Sequence, residues 1–312
     1  MRAIKKFTPN ADGVIVSVIM NCYNCCSFLK ESIDSVYAQT YNKWEIVFWD
    51  NGSTDDSALI AKSYDQRLHY YFVKETTNLG EARNLAITKA AGKYIAFLDC
   101  DDIYISDKLE KQVDIMESSS FALCYGSAII IDKYGNEIKR IPIQNRSGEN
   151  FGKLLMHYEI NMQSVVLRKS IFNNEQISFG NNLKYCPDYN LFMKIASRYS
   201  VATLQDYIVK YRVLDSSLSK QTIDSASSEI KFTLDQILNH NPELNHKFKK
   251  EFKFAYNKLY YYDAVASIYK NDRKRALKNI NHIIWTKIQY MILYIMLLLP
   301  ISNRIILKLL GR

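Results

Sequence analysis

The 312-residue chain is short of glycine (10) and proline (5), and it carries no low-complexity linker and no internal repeat. At 48% hydrophobic residues it is too apolar for a disordered chain, and its length suits one large domain or two smaller ones. Neither a GxGxxG fingerprint nor a P-loop is present, so dinucleotide and ATPase chemistry lack support. The opening segment MRAIKKFTPNADG has no apolar h-region, which leads to the expectation of a cytoplasmic chain. Six cysteines occur, and CYNCC (22–26) contains C-x-x-C, but no second pair follows at zinc spacing. The expectation is free thiols, mostly small buried residues.

Net positive charge is nearly absent from the first 220 residues and concentrated in the rest. Residues 1–220 carry 26 Lys+Arg against 25 Asp+Glu, whereas residues 221–312 carry 15 against 7. The basic residues of the tail are interleaved with long apolar runs, which fits a lipid surface better than nucleic acid.

Apolar periodicity organises residues 14–130. The runs VIVSVIM (14–20), WEIVFW (44–49), LHYYFV (68–73) and KYIAFL (93–98) read as strands. Between them, SFLKESIDSVYAQ (27–39), SALIAKSY (57–64) and EARNLAITKAAG (81–92) read as helices, with a Ser53–Asp56 capping box before the second and Gly92 as a stop for the third. The alternation predicts an α/β fold on a mostly parallel sheet. Beyond it, residues 106–119 read as a helix, 121–143 as strands around a Tyr-Gly-Asn turn, then a helix (150–158), a strand SVVLR, a helix DYNLFMKIASRY, the strands VATL and YIVKYR, and after 220 only helices.

Polar clusters fall at the carboxyl ends of three of the first four strands: NCYN, DNGSTDDS and DCDD. Ligands of such sheets bind beyond those ends. Asp99, Asp101 and Asp102 crowd three carboxylates into four residues. Asp99 and Asp101, two apart on a turn, can face one hard cation such as Mn²⁺ or Mg²⁺ that in turn holds a phosphate. Helix capping is the simpler use of an Asp here, but one would serve for that.

The ordered motifs VSVIMNCYN, WDNGSTDDS, NLGEARN and FLDCDD resemble the family 2 glycosyltransferases over about residues 14–220. The resemblance implies a GT-A, Rossmann-like catalytic domain (1–220), and the helical patterns beyond it make an all-helical C-terminal extension (221–312). Within the catalytic domain it implies a nucleotide-binding half at about 14–130 and an acceptor half at about 131–220. It also implies a bacterial surface-glycan enzyme that transfers a hexose or N-acetylhexosamine with inversion, from a UDP-sugar to a hydroxyl of a glycan or lipid-linked acceptor such as a lipooligosaccharide. By the resemblance, Asp50 would accept a hydrogen bond from uracil, Asn21 and Tyr23 would line the nucleotide pocket, and Arg83 would approach the nucleotide or its phosphates. Asp99 would face the ribose or a metal-bound water, and Asp101 would ligate Mn²⁺ or Mg²⁺, with Asp99 as the second metal-site carboxylate.

YCPDYN resembles the family's Glu-Asp motif, with Pro187 in place of the Glu, and by that resemblance Asp188 would act as the catalytic base. Asp188 as a plain helix N-terminal charge, and Arg83 as a surface ion pair, are the alternatives. Arg212 in YRVLDSSLS would steady the diphosphate, and Leu214 stands where a metal-binding His is often found. Asn51 likewise stands where the family more often has Asp. Ser217 and Ser219 read as ordinary loop residues. The competing functions are a nucleotidyltransferase and a nucleotide-sugar-binding scaffold with degenerate catalysis.

The end of the chain combines a Lys/Arg cluster (273–278) with twelve consecutive apolar residues, Tyr290 to Ile301, interrupted at Pro300. A spanning helix needs about 20. The expectation for 273–312 is peripheral contact with the cytoplasmic face of the inner membrane, through an in-plane amphipathic or shallow re-entrant element. Packing on the catalytic domain or a homo-oligomer contact is the alternative.

Overall fold

The computed structural model describes residues 13–174, 177–214 and 221–310, so Ser217 and Ser219 and the first twelve residues lie outside the described residues. Two compact units divide the chain. The first comprises residues 1–151, 159–182 and 190–214, and the second comprises 152–158, 183–189 and 215–312. Two short segments from the first 214 residues therefore group with the C-terminal helices.

The first unit is built on strands β1 (Val16–Cys22), β2 (Trp44–Asp50), β3 (Leu68–Phe72), β4 (Tyr94–Phe97), β5 (Ile103–Tyr104), β6 (Leu123–Ile131), β7 (Glu137–Ile141), β8 (Val166–Arg168) and β9 (Ala202–Arg212). They form one sheet of order β3-β2-β1-β4-β8-β6-β9-β5, with β7 paired to β6. The first four strands run parallel, and β6 also runs parallel to β9. Strand β8 joins β4 and β6 antiparallel. Every residue of β2 and β6 is buried, as expected for strands covered on both faces, while all five residues of β7 are exposed at an edge.

Helices α1 (Cys26–Tyr37), α2 (Ser57–Lys62), α3 (Leu79–Lys89) and α4 (Lys108–Glu117) complete the α/β layers, and the short helix α5 (Phe151–Met156) follows β7 in the chain. Helix α1 buries Leu29, Ile33 and Val36 at helical spacing, against a core that includes Val18, Phe48 and Leu98. Its neighbours along the chain depart from the sequence reading in three places. Helix α3 ends at Lys89, capped at Ala90, and Gly92 is not its stop. Gly92 lies against β1, where a Cβ would come within 2.7 Å of Ser17 N and 2.9 Å of Ile15 O, so close packing demands the glycine. The Ser53–Asp56 capping box does not form. Asp55 instead accepts from Ser57 N at 3.0 Å. The VATL and YIVKYR segments make one continuous strand, β9, whose pairing with β6 is kept continuous by register shifts around Ser127.

The second unit holds helices Ala226–His240, Glu243–Lys247, Lys249–Tyr269, Arg273–Asn281, Ile288–Leu298 and Asn303–Leu309. Its core gathers Ala264, Ile268, Ala276, Ile280, Leu293 and Ile306. Among the described residues no helix is long and apolar enough to cross a membrane.

Candidate functional site

Because β1, β2 and β4 lie side by side and parallel, their carboxyl ends deliver three loops to one edge of the sheet. Cys22 is in register with Asp50, and the acidic turn follows directly on β4. The loops are tied to each other by side chains. Asn24, in the left-handed region at φ 54°, accepts from Thr54 N at 2.8 Å, and Ser53 Oγ accepts from Asn24 N at 3.0 Å. The N-terminal amides of α1 are satisfied from the second loop, Cys25 N by Ser57 Oγ (3.1 Å) and Cys26 N by Asp55 (3.0 Å).

Asp50 is fully buried. One carboxylate oxygen accepts from Tyr70 Oη at 2.6 Å and the other from Ser53 N at 2.8 Å. A carboxylate has four lone-pair sites, so acceptor capacity remains, but a ligand reaches it only after local movement. Next to it, Asn51 donates to Thr77 O (2.7 Å) and accepts from Thr77 N (3.1 Å). An Asp, the residue more often found in the resembling family, lacks the N–H for the first of these bonds. Asn21 is partly buried on β1, and its Nδ2 is buried with no hydrogen-bond partner. Tyr23 is 56% exposed.

The NLGEARN motif opens α3 and ties it to two other segments of the chain. Asn78 caps α3 by accepting from Glu81 N at 2.9 Å. Gly80 lets the 179–181 segment approach, since a Cβ would stand 2.6 Å from Gly180 O. Asn84 grips the same segment by accepting from Phe179 N and donating to Phe179 O. Arg83 is buried, lies over the Phe179 ring, and places Nη2 3.0 Å from Asp99 Oδ1. It is therefore not a surface ion pair.

Asp99 is held on two sides. Gln163, buried, donates Nε2 to Asp99 Oδ2 at 2.6 Å and accepts from Asp99 N at 3.0 Å. Both carboxylate oxygens of Asp99 are thus engaged. Asp101 differs. Among the described residues no side chain donates a hydrogen bond to its carboxylate, and burial together with the charge of Asp99 pushes its pKa up to about 6. Asp102 is buried, accepts from Arg212 N at 2.7 Å, and keeps one oxygen unpartnered. Burial raises its pKa well above the carboxylate range. A carboxyl whose charge is disfavoured by its surroundings fits a cation, and the all-oxygen donor type fits Mn²⁺ or Mg²⁺.

Arg212, expected at the diphosphate, is buried beneath this turn. Its Nε donates to Asp101 O (2.8 Å), Nη1 to Asp132 O (3.2 Å), and Nη2 pairs with Glu31 at 2.6 Å, while the guanidinium lies over Phe28. Leu214 follows just beyond the end of β9. Gln163 and Glu31 were not singled out by sequence, and no local pattern marks them.

Asp188 belongs to the second unit, partly exposed in the first turn of α6 (Pro187–Ala196). The segment before it is clamped by Glu229, whose carboxylate accepts from Lys184 N (2.8 Å), Tyr185 N (2.9 Å) and Cys186 N (3.0 Å).

Parallel strands converge an acidic turn, a buried arginine and an amide-bearing loop on one edge, the position at which α/β folds bind ligands. Residues 17–173 match the family model described as Glycosyl transferase family 2, and the chain belongs to that family. Its fold is GT-A. The chain is 31% identical over 211 residues to the UDP-Glc:alpha-D-GlcNAc-diphosphoundecaprenol beta-1,3-glucosyltransferase WfgD of Escherichia coli, covering 67% of this chain and 81% of that one. It also matches uncharacterized glycosyltransferases of Rickettsia at 34% identity, but spans only about a third of their length. In fold it is similar to S. aureus TarS 1-349, solved in complex with UDP-GlcNAc, at TM-score 0.63 and 15% identity over 85% of this chain and 89% of TarS 1-349. A second fold neighbour is the mannosyltransferase PcManGT of Pyrobaculum calidifontis, solved with GDP-Man and Mn²⁺, at TM-score 0.60 and 16% identity over 93% of this chain and 86% of that one.

Proposed function

We propose that this glycosyltransferase moves a hexose or N-acetylhexosamine from a UDP-sugar to a hydroxyl of a surface-glycan or lipid-linked acceptor, with inversion at the anomeric carbon. The observation that carries the reading is Asp101, a carboxylate without a side-chain partner on a turn immobilised by Arg83, Gln163 and Arg212. The names of WfgD and TarS's ligand support a UDP-sugar donor, and WfgD's name supports a lipid-diphosphate acceptor.

In this reading Asn21 offers its unpartnered Nδ2 to the nucleoside, Tyr23 offers an exposed ring, and Asp50 receives the base. Asp101 would hold Mn²⁺ or Mg²⁺, whose chemistry is to neutralise the diphosphate. Asp99, both oxygens engaged, orients Arg83 toward the nucleotide rather than acting as a full second ligand. Arg212 shapes the acidic turn from below instead of touching the diphosphate. Asp188 takes the proton of the acceptor hydroxyl as that oxygen attacks the anomeric carbon and UDP departs from the opposite face. General-base help of this kind is worth about 10²–10⁴-fold.

The test is a panel of UDP-sugars with Mn²⁺ or Mg²⁺, scored for UDP release with and without acceptor and for a donor-induced rise in Tm. Asp188→Asn is expected to cut turnover by about 10²–10⁴-fold and spare nucleotide binding. A product of retained configuration would remove Asp188 from its role.

The same reading lays residues 273–312 on the cytoplasmic face of the inner membrane. Helix Ile288–Leu298 buries Tyr290, Leu293 and Leu297 and exposes Ile288, Ile292, Ile295 and Leu298, with Trp285 87% exposed just before it. At about 1.5 Å per residue it is far shorter than the roughly 30 Å of a hydrocarbon core, so it would lie in the interface. Lys274, Arg275 and Lys278 are exposed nearby in sequence, whereas Arg273 is spent on Asn303 and Leu299 O. Cosedimentation with anionic vesicles that survives truncation at about residue 280 would contradict this placement, and a dimer in light scattering would favour an oligomer contact.

A further inference from the structure

The CYNCC motif acquires a partner that sequence spacing does not show. Cys22 ends β1, Cys25 is the N-cap residue of α1, and Cys100 sits inside the acidic turn, yet the three sulfurs all lie within 4.8 Å of one another. The cause is topological. Strand β1 lies beside β4, so the loop leaving one meets the turn leaving the other. Cys22 and Cys100 are buried and Cys25 is half-buried. Their hydrogen-bond partners are weak ones: Cys25 Sγ to Tyr23 O and Cys100 Sγ to Asn21 O, each at 3.4 Å, and Cys22 Sγ against Ser53 Oγ at 3.7 Å.

The geometry points to a second cation site, a three-thiolate site for a thiophilic d¹⁰ ion such as Zn²⁺ or Cd²⁺, beside the oxygen-lined turn and independent of the donor chemistry. Zinc–sulfur bonds of about 2.3 Å at tetrahedral angles put sulfurs roughly 3.8 Å apart, a contraction of at most about 1 Å from the present cluster. The fourth position falls to water or Ser53 Oγ, which already lies against Cys22. Soft thiolates and the hard Asp101 carboxylate select opposite classes of ion, so the two sites do not compete for the same metal. Each thiol releases its proton on binding. A loaded site would tie Cys25, and with it the Tyr23–Asn24 turn, to the acidic turn through Cys100.

The experiment is titration of the reduced, chelator-treated full chain with Cd²⁺ alone, following thiolate-to-metal charge-transfer absorption, and with Zn²⁺ against an indicator dye. One ion per chain is expected. Cys25→Ser, at a half-buried position, is expected to weaken binding by more than about 100-fold. Cys26→Ser, Cys124→Ser and Asp101→Ala are expected to leave it unchanged. In the unaltered chain Zn²⁺ is expected to protect Cys25, and not Cys26, from alkylation, a readout that does not depend on any variant folding. The inference is overturned by the absence of one-to-one binding, by binding that survives Cys25→Ser, or by binding lost in Asp101→Ala. None of these outcomes touches the donor reading, which is scored by UDP release.

Discussion

Arg83 Nη2 lies 3.0 Å from Asp99 Oδ1, with the arginine side chain 5% and the aspartate 37% exposed. This pair joins α3 to the acidic turn across 16 residues of sequence. Removing the cation leaves a partly desolvated carboxylate next to Asp101. Arg83→Ala is expected to cost about 1–3 kcal/mol, below the range for a fully buried pair because Asp99 is partly solvated. A double-mutant cycle with Asp99→Ala, read by denaturant unfolding, measures the coupling. A coupling near zero would mean that Phe179 packing, not the ion pair, keeps Arg83 in place.

Asp101 gives a pH signature. Its folded pKa, pushed up to about 6 by burial and by Asp99, lies above the unfolded value of 3.8. Its favourable contribution is therefore fully present below pH 3.8 and is lost as pH rises through 6. In chelator at pH 7.5, Asp101→Asn is expected to be more stable than the parent by roughly 2–3 kcal/mol, a gain that shrinks by pH 5. Mn²⁺ affinity in the parent is expected to fall about tenfold per unit below pH 6, because the proton and the ion compete for one carboxylate. Thermal melts and a Mn²⁺ titration at three pH values check both.

These residues also mark how far the sequence was legible. Strands β1 to β4 and their helices announce themselves by period, because each contact with the core repeats every two or every three to four residues. The acidic turn was legible because three like charges in four residues need an external reason. What the sequence hid is long-range pairing: Gln163 reaches Asp99 across 64 residues, Arg212 reaches Glu31 across 181, and Glu229 reaches Cys186 across 43. A lone Gln or Glu on a polar stretch carries no periodic signal. Gly92 shows the same limit at short range, since it was assigned as the stop of α3 and packs against β1 instead.

Lys108 is fully buried at the start of α4, with Nζ donating to Gln112 Oε1 at 2.8 Å and lying over the Tyr104 ring. Burial pulls its pKa down from 10.5 to about 7. Here the unfolded chain binds the extra proton, so stability falls as pH drops from 10.5 to 7 and is flat below 7 on account of this group. Lys108→Met is expected to raise stability at pH 7 by about 1–3 kcal/mol, the gain being reduced by the acceptor left unpaired on Gln112. Between pH 7 and 9 the variant is expected to show a shallower rise in Tm than the parent. A variant less stable than the parent at pH 7 would assign the lysine's hydrogen bond more weight than its desolvation.

Glu229 holds three consecutive backbone amides, Lys184, Tyr185 and Cys186, immediately before Asp188. Amides bonded to an ionised carboxylate make strong, short-range anchors, and a buried acceptor removed from them leaves three donors unsatisfied. Glu229→Ala is expected to cost about 2–4 kcal/mol and to let the segment before α6 shift. Because a misplacement of about 1 Å at a catalytic group can cost 10²-fold, kcat is expected to fall with KM for the donor little changed. Glu229→Gln keeps the oxygen and loses the charge, so it is expected to recover most of the stability and part of kcat. If Glu229→Ala lowered stability but left kcat intact, the clamp would be structural only, and Asp188 would owe its position to α6 alone.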